Sequence, residues 1–178
     1  MAILKQIRCI CLRPMALTPS TMLALGTGLP NFDLPQVMGG RLSNRSLDQR
    51  PVLLKVLCAH CPFVKHVEPE ITRLDHDFSN AVQLIGVSSN SLITHPQDGP
   101  EQLADQARRH GWSFPYLLDE QQTLAQALRA ACTPEFYCSH RMAKACRACA
   151  IAANWTGADP ATISPSMVVT CGPPSRPC

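Results

Sequence analysis

The sequence predicts an α/β fold, a central sheet with parallel strands flanked by helices, and three observations lead to it. Short apolar runs of strand-forming residues at 51–57 and 82–88 alternate with stretches of helical period at 62–78 and 101–110. A length of 178 residues is enough for one hydrophobic core and short for two. Hydrophobic residues make up 46% and charged residues only 16%, far from the composition of a disordered chain, so a packed core is expected.

Residues 1–14 precede Met15, after which Ala16, Leu17, Thr18, Pro19 and Ser20 read as a natural chain start, so the first fourteen are expected to be an extension outside the domain. The run 51–57 suits a strand buried on both faces and delivers the chain to Cys58. Val64, Val67, Ile71, Leu74 and Phe78 then recur every three or four residues, which places one apolar face on a helix over 62–78. Pro69 lies inside that helix and is expected to interrupt it with a kink. A second buried strand is expected over 82–88, then a loop over 89–100 rich in Asn, Pro, Asp and Gly. A helix over 101–110 is stopped by Gly111. A short strand over 114–118, a helix over 121–130 and a strand opening at Glu135 behind Pro134 complete the alternation.

Charge narrows the function classes. The net charge of +3 comes without a Lys/Arg cluster interleaved with aromatics, so nucleic acid is not an expected partner. No stretch reaches the ~18 consecutive apolar residues of a membrane helix, and a membrane is not expected either. Lys5, Arg8 and Arg13 flank only short apolar pieces with no small-residue cleavage site, which argues against a signal peptide. A cytoplasmic location follows as the expectation, and with it an environment that keeps thiols reduced.

Ten cysteines would suit a disulfide framework, yet five of them, Cys138, Cys146, Cys149, Cys171 and Cys178, crowd the tail. Catalysis or metal binding are the readings to weigh. Cys58-Ala59-His60-Cys61-Pro62 stands where a buried strand gives way to a helix. Free N–H groups and the positive dipole end at a helix start stabilise a thiolate, which makes Cys58 the expected attacking thiol. Cys61, three residues on, would resolve a mixed disulfide within the chain. His60 would add positive charge or a hydrogen bond to the Cys58 thiolate. The bland alternatives are a structural zinc half-site or two cysteines that merely pack. Lys65 and His66 read as surface residues, and His76, His95 and His110 as satisfied or exposed histidines without ligand partners.

Several segments together resemble one family. They are Leu57-Cys-Ala-His-Cys-Pro-Phe-Val-Lys-His66, Ser88-Ser-Asn90, Pro96-Gln-Asp-Gly-Pro-Glu101, Phe114-Pro-Tyr-Leu-Leu-Asp-Glu120 and Ala131-Cys132-Thr133-Pro134-Glu135-Phe136. They are similar to the bacterial thioredoxin-like redoxins, grouped with the alkyl hydroperoxide reductase/thiol-specific antioxidant superfamily, over residues 15–137. The resemblance implies a thioredoxin-like sandwich with a central mixed sheet, and Cys58 and Cys61 as the redox pair. It also implies Pro134 as a cis-proline facing the pair, with Cys132 and Thr133 as its neighbours. Dithiol–disulfide exchange without cofactor or metal is the implied activity, antioxidant and redox-homeostatic in kind. The implied partners are protein disulfides or small thiols and disulfides, with a thioredoxin- or glutathione-type electron donor.

Two departures bear on activity. A peroxidase of this superfamily carries Thr three residues before its peroxidatic cysteine, where Lys55 stands before Cys58, and thiol peroxidase is kept as the alternative. Leu57 replaces the Trp that precedes the first cysteine in ordinary thioredoxins, so a different partner surface is expected.

From Cys138 onward Leu, Phe, Glu and Gln vanish and no helical or strand period can be followed. Reading each codon as one residue's third base plus the next residue's first two forces Leu at Tyr137-Cys138, Leu at Asn154-Trp155, Asp at Trp155-Thr156 and Gly at Met167-Val168. These fit the family's C-terminal region, so 138–178 is expected to be a frameshifted tail, from a lesion in the gene or a sequencing error, with a damaged redoxin fragment as an alternative reading of this copy. The competing expectation is a zinc-binding appendix built from Cys138, Cys146, Cys149, Cys171 and His140.

Overall fold

Alternating residues of the central strand divide two cores. In a computed structural model that describes residues 21, 23, 24, 26–142 and 145–149, β3 (Val52–Val56) sends Val52, Leu54 and Val56 to one face and leaves Leu53 and Leu57 on the other. That division is the two-residue period of a strand buried on both sides. The first face carries Ile85, Val87, Leu117, Leu124, Leu128 and Tyr137 with Phe32; the second carries Val64, Val67, Ile71, Leu103, Trp112 and Phe114.

The elements run β1 (Asp33–Pro35), β2 (Arg41–Ser43), β3, α1 (Pro62–Phe78), β4 (Gln83–Ser88), α2 (Pro100–His110), β5 (Tyr116–Leu118), α3 (Thr123–Leu128), β6 (Glu135–Met142) and β7 (Ala145–Cys149). β1 and β2 form an antiparallel pair, and the main sheet has the order β5-β4-β3-β6-β7. β3, β4 and β5 are parallel, while β6 is antiparallel to β3 and β7 to β6. The sheet is therefore mixed, as expected of the sandwich.

Local chemistry explains where the elements differ from expectation. α1 runs unbroken through Pro69, which lies on its exposed side, so the carbonyl left without a donor is on the solvent side. α3 is shorter than 121–130 because Gln122 (φ 58) and Arg129 (φ 55) are left-handed and bound it at both ends. α2 ends at Gly111 (φ 64), whose N–H caps the last turn, as the sequence indicated. Gly86 is required by a close approach: a Cβ there would lie 3.0 Å from both Phe114 and Tyr116. The sequence reading had no strands before residue 51, and β1 and β2 have only three residues each.

β6 corrects the expectation that no strand can be followed from Cys138. It continues to Met142 and pairs with β7 in a register that sets Cys138 opposite Cys149 and His140 opposite Arg147. The boundary drawn after Tyr137 thus falls inside a strand. The extension 1–14, residues 150–178 with Cys171 and Cys178, and the side chains of His140, Cys146 and Cys149 lie outside the described residues. Among the described residues, no helix is long and apolar enough to cross a membrane.

Candidate active site

β3 ends at Val56, Leu57 N–H still donates to Val87 O at 2.8 Å, and the chain then turns into α1 through residues 58–61. Pro62 occupies the first turn of the helix, where a missing N–H costs nothing. Cys61 is left at the N-cap with extended backbone (φ −66, ψ 125). The strand-to-helix corner thereby sets both cysteines against the start of β6, where Thr133–Pro134 is a cis peptide.

Both sulfurs are free thiols and both touch Thr133. Cys58 Sγ lies 3.2 Å from Thr133 Oγ1, and Cys61 Sγ lies 3.4 Å from the Thr133 carbonyl oxygen. Their surroundings differ: Cys58 is fully buried and Cys61 only half-buried. A hydrogen bond between the two sulfurs couples them, so that one is favoured as thiolate while the other holds the proton. The Thr133 hydroxyl lowers both sulfurs, and the Val64 and Phe63 amides at the helix start lower Cys61, against the burial of each.

His60 does not approach the site alone. The carboxylate of Asp98, fully buried, accepts the backbone N–H of Ala59 (2.8 Å) and of His60 (3.2 Å) on Oδ1. Its Oδ2 lies 2.7 Å from His60 Nδ1 and accepts from Asn90 Nδ2 at 2.7 Å. His95 stacks on the other side of the His60 ring, with centroids 4.7 Å apart and planes 21° apart. Behind the pair, Gln106 Nε2 donates to Cys58 O (3.2 Å) and to Glu68 Oε1 (2.7 Å), while Tyr116 OH donates to Gln106 Oε1 (3.2 Å). Glu68 Oε2 is paired with His110 at 2.9 Å. With four N–H donors on Asp98, its lone pairs are committed to holding the loop.

Cys132 takes a different place from the pair. Its thiol donates to Glu135, a fully buried carboxylate that also accepts the Tyr137 hydroxyl at 2.6 Å. Burial, then the Glu135 charge, pushes Cys132 up to about 11, so it stays a thiol at neutral pH. Lys55 is buried with its ammonium 3.2 Å above the Phe114 ring and lowered to about 7 by burial, offset by Asp75. His66 and Lys65 are exposed, as read from the sequence. Asp98, Asn90, Gln106 and Glu68 were missed as site residues; the only sequence signal was that Asn90 and Asp98 sit in the two loop segments that carry the family resemblance. A cleft of about 550 Å³ opens beside Ala59, lined by Gln97, Gln102, Asp105, Arg108 and Arg109.

Known proteins share this fold. An uncharacterised conserved protein from Geobacillus kaustophilus is 37% identical with a TM-score of 0.68, over 72% of this chain and 69% of its own. A hypothetical protein from Sinorhizobium meliloti is 27% identical with a TM-score of 0.69, over 80% of each chain. A thiol-disulfide oxidoreductase from Bacteroides fragilis shares the fold at 18% identity with a TM-score of 0.56, over 74% of this chain and 92% of that one. No curated protein matches the chain. The AhpC/TSA family matches residues 25–163, a span that holds the loop at 58–61, both of its flanking elements and the strand behind Pro134, and the chain is a member of that family with a thioredoxin-like fold.

Proposed function

We propose that this protein is a thiol–disulfide oxidoreductase whose working couple is the Cys58–Cys61 dithiol. The observation that carries the reading is that both sulfurs are free thiols at the strand-to-helix corner and both touch Thr133, beside the cis peptide at Pro134. In the exchange one sulfur of the pair, as thiolate, attacks a substrate disulfide, forming a mixed disulfide with the protein and releasing the first thiol. The other sulfur then attacks that protein sulfur, the bond to the substrate breaks, and the second thiol leaves. The dithiol has lost two electrons and the substrate disulfide has become two thiols.

Thr133 touches both sulfurs and would steady the pair in each state. The proposed substrates are protein disulfides or small disulfides, seated against the polar cleft beside Ala59. A thioredoxin- or glutathione-type donor would reduce the pair again, in the cytoplasm. Equilibration with glutathione redox buffers tests the reading: a reversible two-electron couple should appear and vanish in Cys58→Ser and in Cys61→Ser. A wild-type protein without such a couple would sink it.

Family membership favours a second reading. A thiolate at Cys58 would reduce a hydroperoxide to the alcohol, giving a sulfenic acid with which Cys61 condenses to form the same disulfide and release water. Consumption of hydroperoxide at a rate comparable with disulfide reduction would establish it; no consumption would leave disulfide exchange alone.

A further inference from the structure

We propose that the cleft beside Ala59 is the binding site for a small anionic disulfide, a short peptide disulfide that carries free carboxylates, with Arg109 as the residue that selects it. This rests on the proposed dithiol exchange and names the substrate class of that same site. The cleft has a volume of about 550 Å³, within the roughly 300–1,000 Å³ of small-molecule sites. It opens at the redox loop: Ala59, in its wall, follows Cys58 directly and stands two residues before Cys61.

The polar groups of the cleft are side chains, and the fold explains why. Free N–H groups in front of a helix are an ordinary anion site. Here the N–H groups of Ala59 and His60 are turned inward and donate to the buried Asp98 carboxylate, so an anion beside the loop has to be met by other donors. The same turn (Pro96–Asp98) that sends Asp98 into the protein leaves Gln97 exposed in the cleft. Gln102, Asp105 and Arg109 recur at three- and four-residue spacing along α2 and share its exposed face, while Leu103, Gln106 and Ala107 turn to the interior. From Gln102 to Arg109 this wall extends about 10 Å, roughly the reach of an extended tripeptide.

The charges fit a substrate with more acid than base. Arg108 is paired with Asp105, so these two offset each other. Among the described residues Arg109 makes one hydrogen bond, from Nε to the Asp105 carbonyl oxygen at 3.4 Å. Its terminal nitrogens are left to take a carboxylate in the two-pronged geometry of a guanidinium. Gln97 and Gln102 bring amides that both donate and accept, as the peptide groups of such a substrate require. A neutral disulfide gains nothing from the surplus positive charge, and a cationic one is repelled by it. In the exchange, one thiolate of the pair bonds to a substrate sulfur and the first half of the substrate leaves as a thiol. The other protein sulfur then displaces the second half. Two electrons and two protons pass from the dithiol to the two released thiols, and the protein keeps the Cys58–Cys61 disulfide.

Three disulfides of different charge test the proposal on the reduced full chain: glutathione disulfide is anionic, hydroxyethyl disulfide neutral and cystamine cationic. Formation of the Cys58–Cys61 disulfide would be followed by acid quench and peptide mass spectrometry. Each rate constant is divided by that of dithiothreitol with the same disulfide, so that intrinsic reactivity cancels. The normalised rate with glutathione disulfide should exceed that with hydroxyethyl disulfide about tenfold, the effect of one charge-assisted hydrogen bond. Arg109→Gln should remove most of this preference and Arg109→Lys should keep part of it, while added salt should shrink it in the wild type. Equal normalised rates for the three disulfides, a preference for cystamine, or a preference for glutathione disulfide that survives Arg109→Gln would each overturn the proposal. So would an acidic disulfide-bearing protein whose rate falls in Arg109→Gln while that of glutathione disulfide does not, because the cleft would then dock protein. Failure of the underlying exchange reading looks different: the wild type would form no Cys58–Cys61 disulfide with any of the three, the neutral one included, and both readings would fall.

Discussion

Thr133 stands between the two cysteines and contacts both, its hydroxyl 3.2 Å from Cys58 Sγ and its carbonyl oxygen 3.4 Å from Cys61 Sγ. One residue of the segment before β6 thereby senses the state of the whole pair. The hydroxyl lowers both sulfurs, second in weight to the bond between them among the groups that lower Cys61. Thr133→Val removes it at nearly constant volume. The first titration of the pair, followed by thiolate absorbance, should move upward in this variant, and alkylation at pH 6 should slow several-fold.

Selective alkylation checks the coupling of the pair. One sulfur of the Cys58–Cys61 couple is favoured as thiolate while Cys132 is raised to about 11. Brief treatment with iodoacetamide at pH 6 followed by mass spectrometry of peptides should find the label on one cysteine of the pair, with Cys132 slower by at least about tenfold.

Lys55 makes a prediction about stability. Burial lowers its amine from 10.5 to about 7 in the folded chain. Between those values the unfolded chain binds more protons than the folded one, so this group makes stability rise with pH across that window and costs stability below about 7. Lys55→Met replaces a buried cation lacking a hydrogen bond with an apolar chain of similar length. The variant should melt several degrees higher at pH 6, and its advantage should shrink toward pH 10. Equal melting temperatures at pH 6 would contradict this account of Lys55.

The fold was largely legible, and particular residues show why. Val52, Leu54 and Val56 carry the period of a buried strand, while Val64, Val67 and Ile71 carry the helical one, and α1 begins at Pro62 and ends at Phe78 as read from the sequence. The position of Cys58 and Cys61 between these elements follows from the same patterns. What could not be read is the buried support of the pair, and Asp98 is the example. Its partners, Ala59, His60 and Asn90, come from other loops, and an aspartate before Gly99-Pro100 reads in one dimension as a turn residue.

Gln106, from α2, holds the redox loop at Cys58 as Asp98 holds it at Ala59 and His60. Fully buried, it meets the Cys58 carbonyl, Glu68 and the Tyr116 hydroxyl. Gln106→Leu would take this partner from the Cys58 carbonyl and the Tyr116 hydroxyl and leave Glu68 with His110 alone, a loss of about 2–4 kcal/mol. Urea unfolding should show a lower midpoint by that amount, while Gln106→Glu should retain part of the network.

Trapping of mixed disulfides tests the central claim most directly. Cys58→Ser and Cys61→Ser would each be mixed with a disulfide-bearing substrate protein and resolved on a non-reducing gel. The variant that keeps the attacking sulfur and lacks the resolving one should accumulate a stable covalent complex, and the other none: accumulation in Cys61→Ser makes Cys58 the attacking sulfur, as its sequence position indicates, and accumulation in Cys58→Ser makes it Cys61. No complex in either variant would contradict disulfide exchange at the pair.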